Sequence, residues 1–81
     1  MKLKRLKDLR EDNDLTQTQL SSMININQQA YSLYEKGERK IPLEILINLS
    51  LVYKTSLDYI VGITDIKQPY PRAKKKPFDT L

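Results

Sequence analysis

The positions of leucine and isoleucine along the chain predict a series of short helices. Between Leu3 and Leu9 a leucine recurs at every third position among charged residues, which is typical of a surface helix with one buried stripe over residues 3–12. A second apolar series follows Pro42, while no alternating run typical of a strand reaches five residues. The pattern therefore predicts an all-α fold.

Capping residues mark the ends of the central helices. Thr16, followed three positions later by Gln19, fits a capping box that begins a second helix. Asn27 is a good N-cap for a third helix over residues 28–36, and Gly37 suits the left-handed residue that ends it. The residues of these two helices predicted to face inward are Leu20, Met23, Ile24, Ala30, Tyr31 and Tyr34.

Two further helices and the end of the first are predicted from similar signals. Pro42 suits the first turn of a fourth helix, and Ser56 and Gly62 bracket a fifth helix over residues 57–61. Asn13, which tolerates a left-handed conformation, is expected to close the first helix. The predicted inner face of the fourth helix consists of Leu43, Leu46, Leu49, Ser50 and Tyr53.

Composition excludes most enzyme classes. The 81 residues include no cysteine and no histidine, so disulfides are excluded and the commonest general base and zinc ligand are missing. Without a converging pair of carboxylates, we expect no catalytic residue, no metal and no cofactor. No stretch approaches the roughly 18 apolar residues of a membrane helix, and no signal peptide is recognisable, so we expect no membrane contact and a cytoplasmic location.

The net charge of +4 is concentrated at the end of the chain. Residues 1–66 carry nine basic and nine acidic residues, whereas residues 67–81 carry five basic and one acidic. Since the end of the chain also holds three prolines and no periodic pattern, we expect a folded domain over residues 1–65 and a flexible basic tail over residues 66–81. The charge alone therefore does not indicate binding to nucleic acid.

One segment carries a family resemblance. Residues 15–42, LTQTQLSSMININQQAYSLYEKGERKIP, resemble the helix-turn-helix of the Xre family, which includes the DNA-binding domains of lambdoid-phage Cro proteins and repressors. The Leu-Thr-Gln opening, Gln28-Gln29, the Tyr-Glu-x-Gly ending at Gly37 and a later Ser-Leu-Asp-Tyr match in order and spacing, and the likeness covers roughly residues 3–65. The resemblance implies a five-helix, lambda-repressor-like domain that places its third helix in the major groove of double-stranded DNA.

The outer face of the third helix provides the candidate base contacts, which are Gln28, Gln29 and Ser32. Glutamine offers a donor and an acceptor together, which suits bidentate contact with adenine N6 and N7. The beginning of a recognition helix also reaches deepest into the groove. The alternative is that these glutamines are only solvated helix formers. Leu33 stands where the family usually has a polar residue, so it either packs on a thymine methyl group or reads nothing.

Phosphate contacts are expected on both sides of this helix. Gln17 and Thr18 lie in the first turn of the second helix, where free amides and the helix dipole favour an anion. The resemblance implies that Gln17 also braces the recognition helix. After the third helix, Lys36, Arg39 and Lys40 are close enough to reach a flanking phosphate, although such charges often form only a solvated face.

Three other residues are assigned structural or assembly roles. The resemblance implies a partly buried ion pair between Arg10 and Glu35, which would serve the fold rather than DNA binding. An exposed Leu51 would indicate a self-association surface near the fourth and fifth helices.

The first functional hypothesis is a transcriptional regulator, acting as a repressor, that binds double-stranded DNA as a homodimer on half-sites about 34 Å apart. The alternative is a protein-interaction module, such as an antitoxin that binds a partner protein. Residues 74–76, all lysine, either add phosphate contacts or stay solvated.

Overall fold

The structure, a computed structural model, describes residues 2–69 and 71. In this part of the chain all regular secondary structure is helical, which confirms the all-α prediction. None of these helices has the length and hydrophobicity that crossing a membrane requires. Most of the predicted tail, including residues 74–76, lies outside the described residues. The five helices are α1 (Lys4–Asp12), α2 (Gln17–Met23), α3 (Gln28–Lys36), α4 (Leu43–Tyr53) and α5 (Leu57–Val61).

The core draws one fully buried side chain from each helix. These side chains are Leu6, Leu20, Tyr31, Leu49 and Ile60. Burying an apolar side chain of this size contributes roughly 1.5–3 kcal/mol. Because no helix here is longer than 11 residues, each depends on this shared core rather than on its own propensity to form a helix.

Local capping fixes where α2 and α3 begin, and both predicted caps are confirmed. The hydroxyl of Thr16 accepts a hydrogen bond from the Gln19 amide at 3.0 Å, and the Gln19 side chain accepts one from the Thr16 amide at 2.9 Å. The Asn27 side chain accepts from the amides of Gln29 and Ala30 at 2.8 and 3.3 Å. The first turn of each helix is therefore fixed by local hydrogen bonds.

Two apolar residues predicted to face inward are exposed. Met23 is 57% exposed because the buried stripe of α2 runs through Leu20, Ser21 and Ile24, from which Met23 is rotated by about a quarter turn. Leu43 is 63% exposed because it is the first residue of α4, before that helix reaches the core. Both expectations from the periodic pattern were wrong.

The turn after α1 also differs from the prediction. Asn13 has φ −98°, and the left-handed residue is Asp14, with φ 55°. The side-chain amide of Asn13 donates to the Leu9 carbonyl at 2.7 Å, so Asn13 closes the helix by a side-chain hydrogen bond. The reversal of the chain then occurs one residue later.

The chain after α5 returns to the domain. The Lys67 carbonyl accepts hydrogen bonds from the Ser56 amide at 3.0 Å and the Thr55 hydroxyl at 2.7 Å. The Arg5 guanidinium donates to the Thr64 carbonyl, forms a 2.6 Å salt bridge with Asp65, and lies 4.0 Å from the centre of the Tyr59 ring. Contacts with the rest of the domain thus continue two residues past position 65, to Lys67. We call residues 64–67 the C-terminal strap.

Candidate nucleic-acid interface

A four-residue turn over residues 24–27 joins α2 to α3. Asn25 takes the left-handed conformation in this turn, with φ 57°, which asparagine tolerates better than most side chains. The Ile26 amide donates to the Ser21 carbonyl at 3.0 Å, and Ile24 is buried. The turn is therefore attached to the end of α2, and the angle between the two helices is held by the core.

The outer face of α3 carries the three candidate base contacts. Gln28 and Gln29 are exposed, Ser32 is partly exposed, and Tyr31 between them is fully buried. Leu33 is also only partly exposed. The structure therefore points the glutamine pair into solvent from the first turn of α3, the arrangement that groove reading requires.

Gln28 is not a free side chain, because its amide is paired with α2. Its Nε2 donates to the Oε1 of Gln17 at 3.0 Å. Gln17 is partly buried, whereas Thr18 beside it is exposed. Two roles were predicted for Gln17, phosphate contact and bracing of α3. Both would use its side-chain amide, which already accepts the hydrogen bond from Gln28.

Behind this pair, Arg10 on α1 and Glu35 on α3 form a two-point ion pair. Arg10 Nε lies 2.9 Å from Glu35 Oε2, and Arg10 Nη2 lies 3.0 Å from Glu35 Oε1. The side chains are only 12% and 5% exposed. The third contact of Arg10 is a 2.9 Å hydrogen bond to the Leu15 carbonyl. Arg10 thereby connects α1, α3 and the start of the segment leading to α2.

The ion pair keeps Glu35 charged despite its burial. Burial by itself raises the pKa of a carboxyl. The hydrogen bonds and positive charge of Arg10, together with the neighbouring Tyr31 and Gln17, more than offset this, so the pKa of Glu35 lies below its usual range. Burial and the nearby Glu35 charge raise the pKa of Tyr53 to about 12. At neutral pH the site therefore contains the buried Glu35 carboxylate, which can accept hydrogen bonds but cannot donate them.

One contact of Glu35 was not foreseen from the sequence. Gln17 Nε2 lies 3.4 Å from Glu35 Oε1, which also accepts from Arg10. A continuous series of polar contacts therefore runs from Arg10 through Glu35 and Gln17 to Gln28. These contacts join residues 11 to 25 positions apart. The family resemblance implies the Arg10–Glu35 pair and a bracing role for Gln17, but no sequence signal indicates the contact between Gln17 and Glu35.

The basic residues after α3 lie on the surface. Lys36, Arg39 and Lys40 are exposed on either side of Gly37, which ends α3 with φ 76°. None of the three forms a salt bridge to another residue in the described part of the chain. Their charges are therefore available to a flanking phosphate.

Two short helices joined by a tight turn, the second presenting polar side chains outward, define a helix-turn-helix domain. A family model described as Helix-turn-helix matches residues 6–60, and the chain belongs to that family, a class of DNA-binding proteins rather than enzymes. The resemblance noted in the sequence is thus confirmed. No solved structure gave a significant match.

Several curated bacterial proteins are similar to this chain. It is 40% identical over 76 residues to the uncharacterized HTH-type transcriptional regulator YobD of Bacillus subtilis, an alignment that covers 94% of this chain and 66% of YobD. It is 37% identical over 71 residues to the uncharacterized HTH-type transcriptional regulator YqaE of the same organism, covering 86% and 61%. The HTH-type transcriptional regulator ImmR is 32% identical over 65 residues, covering 80% and 51%. The chain thus spans between half and two thirds of the length of these three relatives.

Proposed function

We propose that this chain is a transcriptional regulator, acting as a repressor, that binds double-stranded DNA sequence-specifically and reads the major groove with α3. The observation that carries the proposal is the exposure of Gln28 and Gln29 on the first turn of α3 beside the fully buried Tyr31. The relatives named as transcriptional regulators support the same function. Such a function implies a cytoplasmic location.

In this proposal the base contacts come from Gln28, Gln29 and Ser32. The Gln28 amide retains its Oε1 and one N–H after pairing with Gln17, which is sufficient for bidentate contact with adenine. A good bidentate contact contributes about 1–3 kcal/mol of discrimination against the wrong base.

Phosphate contacts would hold α3 in register on both sides. Gln17 and Thr18 face one flank, and the exposed Lys36, Arg39 and Lys40 serve the other. These contacts carry no sequence information, but they position the residues that do.

We propose that the protein acts as a homodimer on DNA. One α3 of 9 residues reads only a short site, so useful affinity needs two copies on half-sites about 34 Å apart. Leu51 on α4 is 40% exposed, Ile63 just before the C-terminal strap is 76% exposed, and Ile66 within the strap is 68% exposed. These three side chains are the candidates for contact between copies.

The same exposed residues favour the second candidate function, in which the main ligand is a partner protein, as for an antitoxin. The two functions differ in their dependence on α3. A partner-binding protein tolerates Gln28→Ala, whereas a DNA reader loses its sequence preference.

The experiment is selection of bound fragments from a random duplex pool, with the unaltered protein, Gln28→Ala and Gln68→Ala. Gln68 is an exposed glutamine outside α2 and α3, and its variant is the matched control. We expect a roughly palindromic motif that loses definition only in Gln28→Ala. Recovery of no motif with the unaltered protein contradicts the proposal and favours the partner-binding function.

A further inference from the structure

We infer that Glu35 determines which way Gln28 presents its hydrogen-bond donor and acceptor to DNA, acting through the side-chain amide of Gln17. Glu35 is thereby a positioning residue for sequence recognition, although its side chain is only 5% exposed. The inference rests on the proposed function, since it requires that Gln28 contacts a base.

The direction of the Gln17 amide follows from the chemistry of its two neighbours. A charged carboxylate can only accept hydrogen bonds, so Gln17 turns its Nε2 toward Glu35, at 3.4 Å from Oε1. This leaves the Oε1 of Gln17 on the side of Gln28. An amide reversed by 180° would place its carbonyl oxygen against the carboxylate, which is unfavourable.

The direction of the Gln28 amide follows in the same way. Because Gln17 offers it an oxygen, Gln28 approaches with its Nε2, at 3.0 Å. Its free acceptor and remaining N–H then have a fixed order along the outer face of α3. Adenine requires an acceptor at its N6 amino group and a donor at N7, so reversing the amide in the same position removes the match.

The Arg10–Glu35 end of this series is held rigidly, so it can impose a single orientation on the Gln17 and Gln28 amides. Both oxygens of Glu35 are held by Arg10, and Arg10 is itself attached to the Leu15 carbonyl at 2.9 Å. Exposure to solvent increases along the series, from the buried Glu35 through the partly exposed Gln17 to the exposed Gln28. Gln29 differs, because its side chain makes no hydrogen bond to another described residue.

The experiment compares two variants that interrupt the contacts at different points. Gln17→Met removes both amide contacts but leaves Arg10 and Glu35 paired. Glu35→Gln keeps the shape of the side chain but allows either end of its amide to face Gln17. Binding is measured to the selected site and to sites changed at the base pair read by Gln28 or at the one read by Gln29. Thermal unfolding identifies the variants that remain folded.

We expect the unaltered protein to discriminate at each of these base pairs by about 5- to 150-fold. Both variants should lose most of the discrimination at the Gln28 base pair and retain it at the Gln29 base pair. In the Gln17→Met background, Glu35→Gln should cause no further loss, because the connection is already broken. If Glu35→Gln does not fold, the double variant Arg10→Met/Glu35→Met takes its place, because it removes the carboxylate without leaving an unpaired buried charge. Unchanged discrimination at the Gln28 base pair in a folded variant that lacks the Glu35 carboxylate also overturns the inference.

The results that would overturn this inference differ from the result that would overturn the proposed function. Absence of any selected motif with the unaltered protein refutes the proposed function itself. If Gln28→Ala abolishes the base preference while Gln17→Met retains it, Gln28 reads DNA without this orientation and the inference is wrong. An equal loss at the Gln28 and Gln29 base pairs indicates a general disturbance of α3, which also overturns it.

Discussion

The backbone of Lys2 packs directly against Gly37, so that a Cβ atom on Gly37 would lie only 2.9 Å from the Lys2 Cα. Gly37 also has φ 76°, a conformation that side chains rarely adopt. The segment before α1 is thereby held against the end of α3. Two independent constraints therefore disfavour a side chain at Gly37. Gly62 is subject to only one of them, its φ of 88°, since a Cβ atom added there would meet nothing within 4 Å.

The two glycines therefore form a matched pair of alanine substitutions. Gly62→Ala should cost only the left-handed strain, about 1–2 kcal/mol. Gly37→Ala should cost more, because Lys2 must also move. Urea unfolding of both variants checks this, and equal losses would show that the contact between Lys2 and Gly37 has no energetic importance.

Breaking the Arg10–Glu35 pair should destabilise the domain strongly. Arg10→Met or Glu35→Ala leaves an uncompensated buried charge, for which the expected loss is about 3–5 kcal/mol. Replacing both residues by apolar ones should cost less than the sum of the single changes. Asp65→Ala is the control, because Asp65 pairs with Arg5 but is 97% exposed and should change stability little. Similar losses for the buried and the exposed pair would contradict this expectation.

Stability should fall in acid because of Glu35. Its pKa in the folded protein lies below the unfolded value of about 4.3. Between these values the unfolded chain binds more protons, so the contribution is fully present above about pH 4.3 and is lost as pH falls through the folded pKa. Unfolding free energies measured from pH 6 down to pH 3 should show a smaller decrease in Glu35→Gln. Parallel curves for the two proteins would contradict this assignment.

Tyr53 should limit stability in alkali. Its hydroxyl is buried without a hydrogen-bond partner among the described residues, and burial raises its pKa to about 12 from about 10. Its contribution is therefore present below about pH 10 and lost as pH rises toward the folded value. Tyr53→Phe should raise stability at pH 7 by about 1 kcal/mol and reduce the alkaline loss. Destabilisation at pH 7 would indicate that the hydroxyl has a partner.

The basic residues after α3 should determine part of the salt dependence of DNA binding. Each of Lys36→Ala, Arg39→Ala and Lys40→Ala should reduce the slope of log affinity against log salt by about 0.9 if the residue neutralises one phosphate. Lys54→Ala is the control, since α4 places Lys54 about 16 Å from the loop that precedes that helix. An unchanged slope in all three variants would assign these charges to a solvated face.

The boundaries of the helices were predictable because they depend on local chemistry. The capping box at Thr16 and the N-caps Asn27 and Ser56 satisfy amides within three residues of themselves. Gly37 and Gly62 take the left-handed conformation that their type favours. The exposure of Met23 and Leu43 to solvent was not predictable, because burial at the end of a helix depends on which other part of the fold lies opposite.

The sequence by itself determined the five helices and the outward face of α3, since both follow from spacing and local hydrogen bonds along a short stretch. Only the tertiary structure decided that Arg10, Glu35, Gln17 and Gln28 form one continuous polar series. Side chains from three helices meet there because the shared core brings those helices together. A hydrogen bond between distant residues depends on their relative positions to within a few tenths of an ångström, and a pattern along the chain does not contain that information.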